Sequence, residues 1–114
     1  MKKNIMFITK NSKSKGECGE YNGYVAVPYE NKNYAALKSE LLHIKVHGGI
    51  TFSSTPNGES FLLSQAEYLD DAHTVPCGYW IYRFDTCHEG DNKQNWSKVK
   101  VIEEVRKLSE QLSK

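Results

Sequence analysis

The clearest alternation of apolar and polar positions is Gly78-Tyr79-Trp80-Ile81-Tyr82-Arg83-Phe84-Asp85. Successive side chains of a strand point to opposite faces. Trp80, Tyr82 and Phe84 therefore share one face, and Tyr79, Ile81, Arg83 and Asp85 the other. The aromatic and β-branched content suits a pleated, half-buried surface. A second strong signal has a different period. Val101, Val105, Leu108 and Leu112 recur at i, i+4, i+7 and i+11, the stripe of an amphipathic helix. Ser97 stands at the N-cap position, and Glu103 and Lys107 add an i, i+4 pair. This helix is expected to cover a sheet, or at most to pair with a second copy.

Shorter runs fill in the rest. Asn4 to Thr9 reads as a strand, and Tyr21 to Val27 as another that Pro28 stops. Asn33 is expected to cap a short helix over Tyr34 to Leu41, with Tyr34, Leu37 and Leu41 on one face. So short a helix needs tertiary support. Leu42 to His47 alternates strictly and reads as a strand, with Leu42, Ile44 and Val46 on one face and His43, Lys45 and His47 on the other. Ile50-Thr51-Phe52 resumes an extended run. Ser53 to Gly58 is a turn cluster ending in Asn57-Gly58, and Phe61-Leu62-Leu63 reads as the returning strand. Ser64 to Pro76 carries no decisive pattern. Lys10 to Gly16 holds three lysines without a Walker pattern and reads as a solvated loop rather than an anion site. Cys87 to Asn95 is a polar loop. No repeat or linker divides the chain. The order predicts one α+β domain over residues 1–114: a small antiparallel or mixed β-sheet with a short helix and a C-terminal amphipathic helix packed on one face.

Composition narrows the partners. The chain has 114 residues and a net charge of +1 from 15 basic and 14 acidic side chains, which points to neither bulk nucleic acid nor a membrane. Charge is unevenly placed, with Lys2, Lys3, Lys10, Lys13 and Lys15 at the start and Glu59, Glu67, Asp70 and Asp71 in the middle. Seven Tyr and two Trp exceed the needs of a minimal core; the surplus lines a pocket or interface, or covers one sheet face. Cys18, Cys77 and Cys87 are odd in number and form no C-x-x-C, which fits free thiols in a reducing cytoplasm. Ile5 to Ile8 is too short for a signal peptide, and no run approaches the ~20 apolar residues of a membrane span. A soluble cytoplasmic protein is expected.

Candidate chemistry gathers where two apolar runs give out. In His47-Gly48-Gly49-Ile50-Thr51-Phe52, consecutive glycines leave backbone N–H groups uncovered and permit positive φ. Such a segment can wrap an anion. His47 can donate to phosphate or act as acid or base, and Thr51 adds a hydroxyl. The plain alternative is a tight bend beside an ordinary surface histidine. Downstream, Asp85, His88 and Asp91 are spaced by three, and Gly90 permits a turn that would bring them into one volume. Asp85 could bind a ribose hydroxyl, orient His88 or hold a metal; alternatively, both aspartates cap turns. Metal readings do not fit. His43 and His47 lie ~13 Å apart on a strand at ~3.3 Å per residue. Cys87-His88 with Cys77 and His73 matches no zinc motif. Cys87 and His88 as chain neighbours point apart, which leaves Cys87 with His47 as the open nucleophile pairing. There is no Gly-x-Ser-x-Gly elbow. No metal and no cofactor are expected.

Val46 to Phe52 and Phe84 to Asp91 together resemble a family of short, mostly uncharacterised proteins of bacteriophages and prophages. Its pattern is a Val-His-Gly-Gly-(Ile/Leu)-Thr-(Phe/Tyr) block, then a Trp-rich strand ending in Phe-Asp-x-x-His-x-Gly-Asp. Gly23 to Pro28 and the Glu-rich final helix also look similar, so the likeness spans most of the chain from Gly23. Trp80 is followed here by Ile81-Tyr82-Arg83, where the family tends to carry Trp-Trp and a small residue, a departure that alters the pocket wall.

The resemblance implies a phage accessory protein working in the bacterial host cytoplasm, and implies no settled chemistry. Small phage accessory proteins often antagonise host defence, some as sponges for a nucleotide immune signal. On that reading the protein binds a small phosphate-containing nucleotide metabolite, as a homo-oligomer. His47, Gly48, Gly49 and Thr51 would take phosphate, Asp85 and Asp91 ribose hydroxyls, with His88 beside them. Trp80, Tyr79 or Tyr82 would stack a base. One alternative is a phosphodiester or nucleotide hydrolase with His47 and His88 as acid and base and Asp85 or Asp91 orienting. Another is a protein-binding inhibitor. All the ligand readings require the two blocks to meet, with His47 and His88 on neighbouring strands.

Overall fold

The computed structural model describes residues 2–11 and 18–114. Five antiparallel strands form one sheet: β1 (Ile5–Lys10), β2 (Tyr21–Pro28), β3 (Phe52–Ser54), β4 (Glu67–Tyr68) and β5 (Tyr79–Phe84), in the order β3-β5-β2-β1-β4. Two helices follow the chain, α1 (Ser60–Ser64) and α2 (Lys98–Leu112), and a 3-10 turn spans Lys38–Leu41. Among the described residues no helix is long and apolar enough to cross a membrane. The α+β class and the helix packed on one face stand as expected.

Alternation in the central strands divides the core in two. Ile8, Val25, Val27, Tyr82 and Phe84 face α2 and meet Val101, Val105, Leu108 and Leu112, each of them fully buried. The other face carries Phe7, Tyr24, Ala26, Tyr79 and Ile81 beneath Val75, Leu62 and Leu63. There the Phe7 and Tyr24 rings stack with centroids 4.6 Å apart. Gly23 lies where α2 approaches β2 most tightly, since a Cβ on it would fall 2.4 Å from both Phe84 and Val105. The Ser97 hydroxyl accepts from the Lys100 N–H at 3.4 Å and caps α2. Ser97→Ala should cost about 1 kcal/mol, read as a lower urea midpoint with an unchanged slope.

Several segments differ from their sequence reading, two of them because of a distant partner. Residues 32–35 are turns and 36–37 irregular, so that only the 3-10 turn is helical within the expected Tyr34 to Leu41. The Tyr82 hydroxyl accepts from the Ala36 N–H and donates to the Asn33 carbonyl, which a helix would have paired with the Leu37 N–H. Asn33 caps no helix start. Its amide and that of Asn31 both donate to the Leu112 carbonyl at 2.9 Å, closing the end of α2.

Leu42 to His47 is not a strand: Leu42 is exposed while Ile44 is buried. Its backbone bonds to helix side chains. Lys45 exchanges two bonds with the Gln111 amide, and the His47 N–H donates to Glu104 Oε2 at 2.8 Å. The strand spacing argued against a His43–His47 metal pair thus loses its premise. Among the described residues, even so, no group of three or more His, Cys, Asp or Glu stands where it could hold a metal ion.

Phe61-Leu62-Leu63 forms α1 rather than a returning strand; Leu62 and Leu63 pack on the second sheet face and Phe61 stays exposed. The undecided stretch after it supplies β4, an edge strand tied to α2 through Lys98–Glu67 at 2.7 Å and Arg106–Asp70 at 3.7 Å. Most of the Lys10 to Gly16 loop, residues 12–16, lies outside the described residues.

The cysteines also need correction. Cys18 and Cys87 form a disulfide, and Cys77 alone is free. Counting Cys and scanning for C-x-x-C does not detect a pair 69 residues apart. The register Gly23↔Phe84 carries the chain before β2 past the chain after β5, and so brings the two together.

Burial pushes the Tyr82 hydroxyl above its ordinary 10.0, against a smaller opposing effect of the Ala36 N–H bond. The unfolded chain's phenol ionises first. This contribution to stability is therefore complete below pH 10.0 and is lost as pH rises through the higher folded value. Unfolding free energy followed from about pH 9 to 11 should fall more steeply in the parent protein than in Tyr82→Phe.

Candidate functional site

The turn after β5 is built by its own aspartates. Asp85 Oδ1 accepts the Cys87 N–H at 3.2 Å, and Asp91 Oδ2 accepts the His88 N–H at 2.9 Å. The Asp91 N–H returns a bond to the His88 carbonyl. Two short side-chain-closed turns thus hold Asp85, His88 and Asp91 together, as their spacing predicted.

The second block arrives from the other side. His47 Nε2 lies 3.0 and 2.9 Å from the two oxygens of Asp91, whose side chain is nearly buried. Facing a carboxylate, that nitrogen carries the proton. The His47 ring lies on Trp96 with centroids 4.1 Å apart and meets His88 edge-on at 5.4 Å. The two blocks therefore meet, but on loops and not on neighbouring strands.

Gly48 is required twice over. Its φ is +70°, and a Cβ there would fall 2.1 Å from His88 Nε2. Gly49 has φ +79° but open space around it. His88 Nε2 is 3.0 Å from Asp85 Oδ1, yet its N–H direction misses the carboxylate, and the nitrogen is buried without a hydrogen-bond partner. The two groups are close without a hydrogen bond between them. Arg83 stands behind it, 3.9 Å from Asp85.

Beside this cluster runs an open groove of about 610 Å³, with Lys38, Leu42, Ile44, Gly49, Thr51 and Phe52 among its lining. Gly48 borders it, while His47, Asp85, His88 and Asp91 do not. The Gly49 N–H is used by the Val46 carbonyl. The Gly48 and Ile50 N–H groups have no partner among the described residues. Thr51 continues the β3–β5 ladder through its N–H to the Arg83 carbonyl, and its hydroxyl lies 3.4 Å from Arg83 Nε.

The aromatic residues of β5 are placed otherwise than expected. Trp80 packs edge-on against Tyr34 at 5.6 Å, opposite Val27, with three residues of strand between it and Phe84. Tyr82 is core, and Tyr79 lies on the opposite sheet face with its hydroxyl on the Lys3 carbonyl. None of the three joins the His/Asp cluster. The rings that do border the region are Trp96 at the cluster and Phe52 at the groove.

Trp96 and Glu104 were not legible as site residues. Trp96 immediately precedes the N-cap Ser97, the position of a hydrophobic staple, and that signal could have placed it against the helix. Comparison with protein-family models, with curated proteins and with solved structures finds no match for this chain.

Proposed function

We propose that the protein binds and sequesters a small phosphate-containing nucleotide metabolite in the groove beside Gly48-Gly49. The observation that carries this reading is the clamp on that turn. His47, His88 and Asp91, drawn from two distant blocks, are spent on fixing one glycine pair at the rim of a groove. The turn leaves the Gly48 and Ile50 N–H groups without a partner among the described residues, each free to donate to an anion. Lys38 supplies a cation at the same groove, Thr51 a hydroxyl, and Leu42, Ile44 and Phe52 an apolar wall for a base. The volume lies within the usual range of small-ligand sites. In this form the cluster positions the binding turn, while the groove residues touch the ligand. Leu37 and Leu42 are exposed apolar side chains nearby, surface that a second copy would cover in a homo-oligomer. The resemblance of the two blocks to phage proteins supports antagonism of host defence as the setting of this binding.

One observation favours a second reading, a hydrolase of phosphodiester or nucleotide substrates. His47 has one ring nitrogen fixed on a nearly buried carboxylate. Its Nδ1 has no hydrogen-bond partner among the described residues. That is the arrangement of an oriented histidine base. Asp91, not Asp85, would be its orienting group, and the buried Nε2 of His88 disfavours His88 as the acid.

A capture-and-release experiment separates these. The protein is incubated with cyclic oligonucleotides and ADP-ribose derivatives, washed and denatured, and the released material is identified. Sequestration predicts one nucleotide returned intact, with retention lost in His47→Ala while the folded state persists. Hydrolysis predicts product formed over many turnovers, abolished in the same variant. A protein that neither holds nor changes any nucleotide defeats both readings and leaves the protein-binding inhibitor. Asp85→Asn alongside His47→Ala distinguishes a site from a scaffold, because unfolding in both variants would assign the blocks to the fold alone.

A further inference from the structure

We propose that Cys18 and Cys87 are an accessible thiol–disulfide exchange site whose state sets the order of the His88–Asp91 turn and, through it, of Gly48. The inference does not rest on the ligand reading.

Access is the first observation. Cys87 is exposed and Cys18 half-buried, which makes Cys87 the open end of the bond. The second is that the fold holds this junction without the bond between the sulfurs. Thr86 is fully buried. Its hydroxyl donates to the Tyr21 carbonyl at 2.7 Å, its N–H to Asn22 Oδ1 at 3.1 Å, and its carbonyl accepts from the Gly19 N–H at 2.8 Å. Gly19 sits tightly against Thr86 and Trp96, with room for no side chain. The inner seam between the two chains is therefore closed by hydrogen bonds, and the sulfurs bridge its outer side.

The third observation is what lies beyond Cys87. Its N–H donates to Asp85, and the next residue is His88, whose ring rests on Gly48. Opening the disulfide removes the covalent anchor from the short turn that carries His88, while Thr86 keeps β5 in place. The consequence passes to His47 through Asp91, which bonds both blocks.

The exchange balances with two equivalents of a low-molecular-weight thiol. One thiolate attacks Cys87 Sγ, forms a mixed disulfide there and releases the Cys18 thiolate. The second attacks the small-molecule sulfur of that mixed disulfide, releases the Cys87 thiolate and leaves as the symmetrical disulfide. Two electrons and two protons pass from the two small thiols to the two cysteines.

The test uses the full chain carrying Cys77→Ser, since Cys77 is exposed and would also be labelled. The protein is equilibrated in glutathione buffers of graded ratio, quenched in acid, alkylated and weighed intact. Amide hydrogen exchange is followed on the same samples. The expected result is one two-electron transition from no alkyl groups to two. In the reduced form, amides of residues 88–91 and 46–49 should exchange at least about tenfold faster, with those of β2 and β5 unchanged. Cys18→Ser with Cys87→Ser in the same background should reproduce the reduced pattern.

Four results would overturn the proposal: both thiols labelled at every ratio, a pair that resists reduction until the protein is denatured, identical exchange in the turn in the two states, or loosening of β2 and β5 as large as that of the turn. Because the redox titration is read on the unmutated pair, failure of the double serine variant to fold would not shield the proposal.

Discussion

Gly48→Ala is expected to destabilise the protein by about 3 kcal/mol, and Gly49→Ala by only about 1 kcal/mol, although the two are neighbours with nearly the same φ. Placing a Cβ in the left-handed region costs roughly 1–2 kcal/mol at either position. Only at Gly48 does the new atom meet anything. It falls 2.1 Å from His88 Nε2, whereas nothing stands within 4 Å of a Cβ at Gly49. His88 must then leave the turn, and displacing a packed side chain to relieve overpacking adds roughly 1–3 kcal/mol. Urea midpoints of the two variants measure the difference. A cycle with His88→Ala isolates its cause: without the imidazole, Gly48→Ala should cost no more than Gly49→Ala. Equal costs in the parent background would show that the His88 contact contributes nothing. The same pair bears on function, because Gly48→Ala moves the turn whose bare N–H groups border the groove, and Gly49→Ala leaves the His88 contact untouched.

Local periodicity identified the elements whose partners are other regular elements. β5 reads as a strand because both its faces are covered, one under α2 and one under the segment around Leu62 and Leu63, so that nearly every position is aromatic or β-branched. The α2 stripe is visible because all four of its residues enter one core. Two of the misread segments share a different property, that backbone groups in them are bonded by side chains far away in sequence. Leu42, Ile44 and Val46 alternate as they would in a strand. The backbone beside them, at Lys45 and His47, instead bonds to Gln111 and Glu104 on a helix, which no local pattern reveals. Tyr34 to Leu41 has helical spacing, but at its start the Tyr82 hydroxyl takes the Asn33 carbonyl and the Ala36 N–H. Phe61-Leu62-Leu63 is a short apolar run, for which length and period do not separate strand from helix.

The site divides in the same way. His47, Asp85, His88 and Asp91 were legible because polar residues crowding the end of apolar runs sit on a fixed frame, and they do converge. Their mutual geometry was not. Both aspartates close turns, as the plain alternative held, and Asp91 also receives His47. Trp80, Tyr79 and Tyr82 looked available for stacking because aromatic surplus suggests a pocket, yet Tyr79 and Tyr82 are core residues and Trp80 packs on Tyr34. The disulfide was invisible for a topological reason, since only the β2–β5 register places residues 18 and 87 together.

Asp91→Ala should be about as damaging as Gly48→Ala, at roughly 3 kcal/mol, and Asp91→Asn should cost about 1 kcal/mol. Asp91 is 7% exposed and accepts from two donors, the His88 N–H and His47 Nε2. Alanine leaves both without their acceptor in a place that water scarcely reaches, and each unmet donor there costs on the order of 1–3 kcal/mol. Asparagine keeps the shape and one carbonyl oxygen. That oxygen can still close the His88 turn, and the new amide can donate to His47 if the imidazole adopts its other tautomer. The fold therefore survives while the His47 ring is held with its proton on Nδ1. If the site only binds, Asp91→Asn should retain nucleotide within a few-fold of the parent, because the glycine turn is still clamped. If His47 is a base, the same variant should lose turnover by several orders of magnitude, because the nitrogen facing substrate now carries the proton. Urea midpoints and the capture-and-release experiment, run on the Ala and Asn variants together, thus separate Asp91 the clamp from Asp91 the orienting group of a catalytic pair. A midpoint for Asp91→Ala indistinguishable from the parent's would remove the clamp itself, and with it the reason to place a binding site at Gly48.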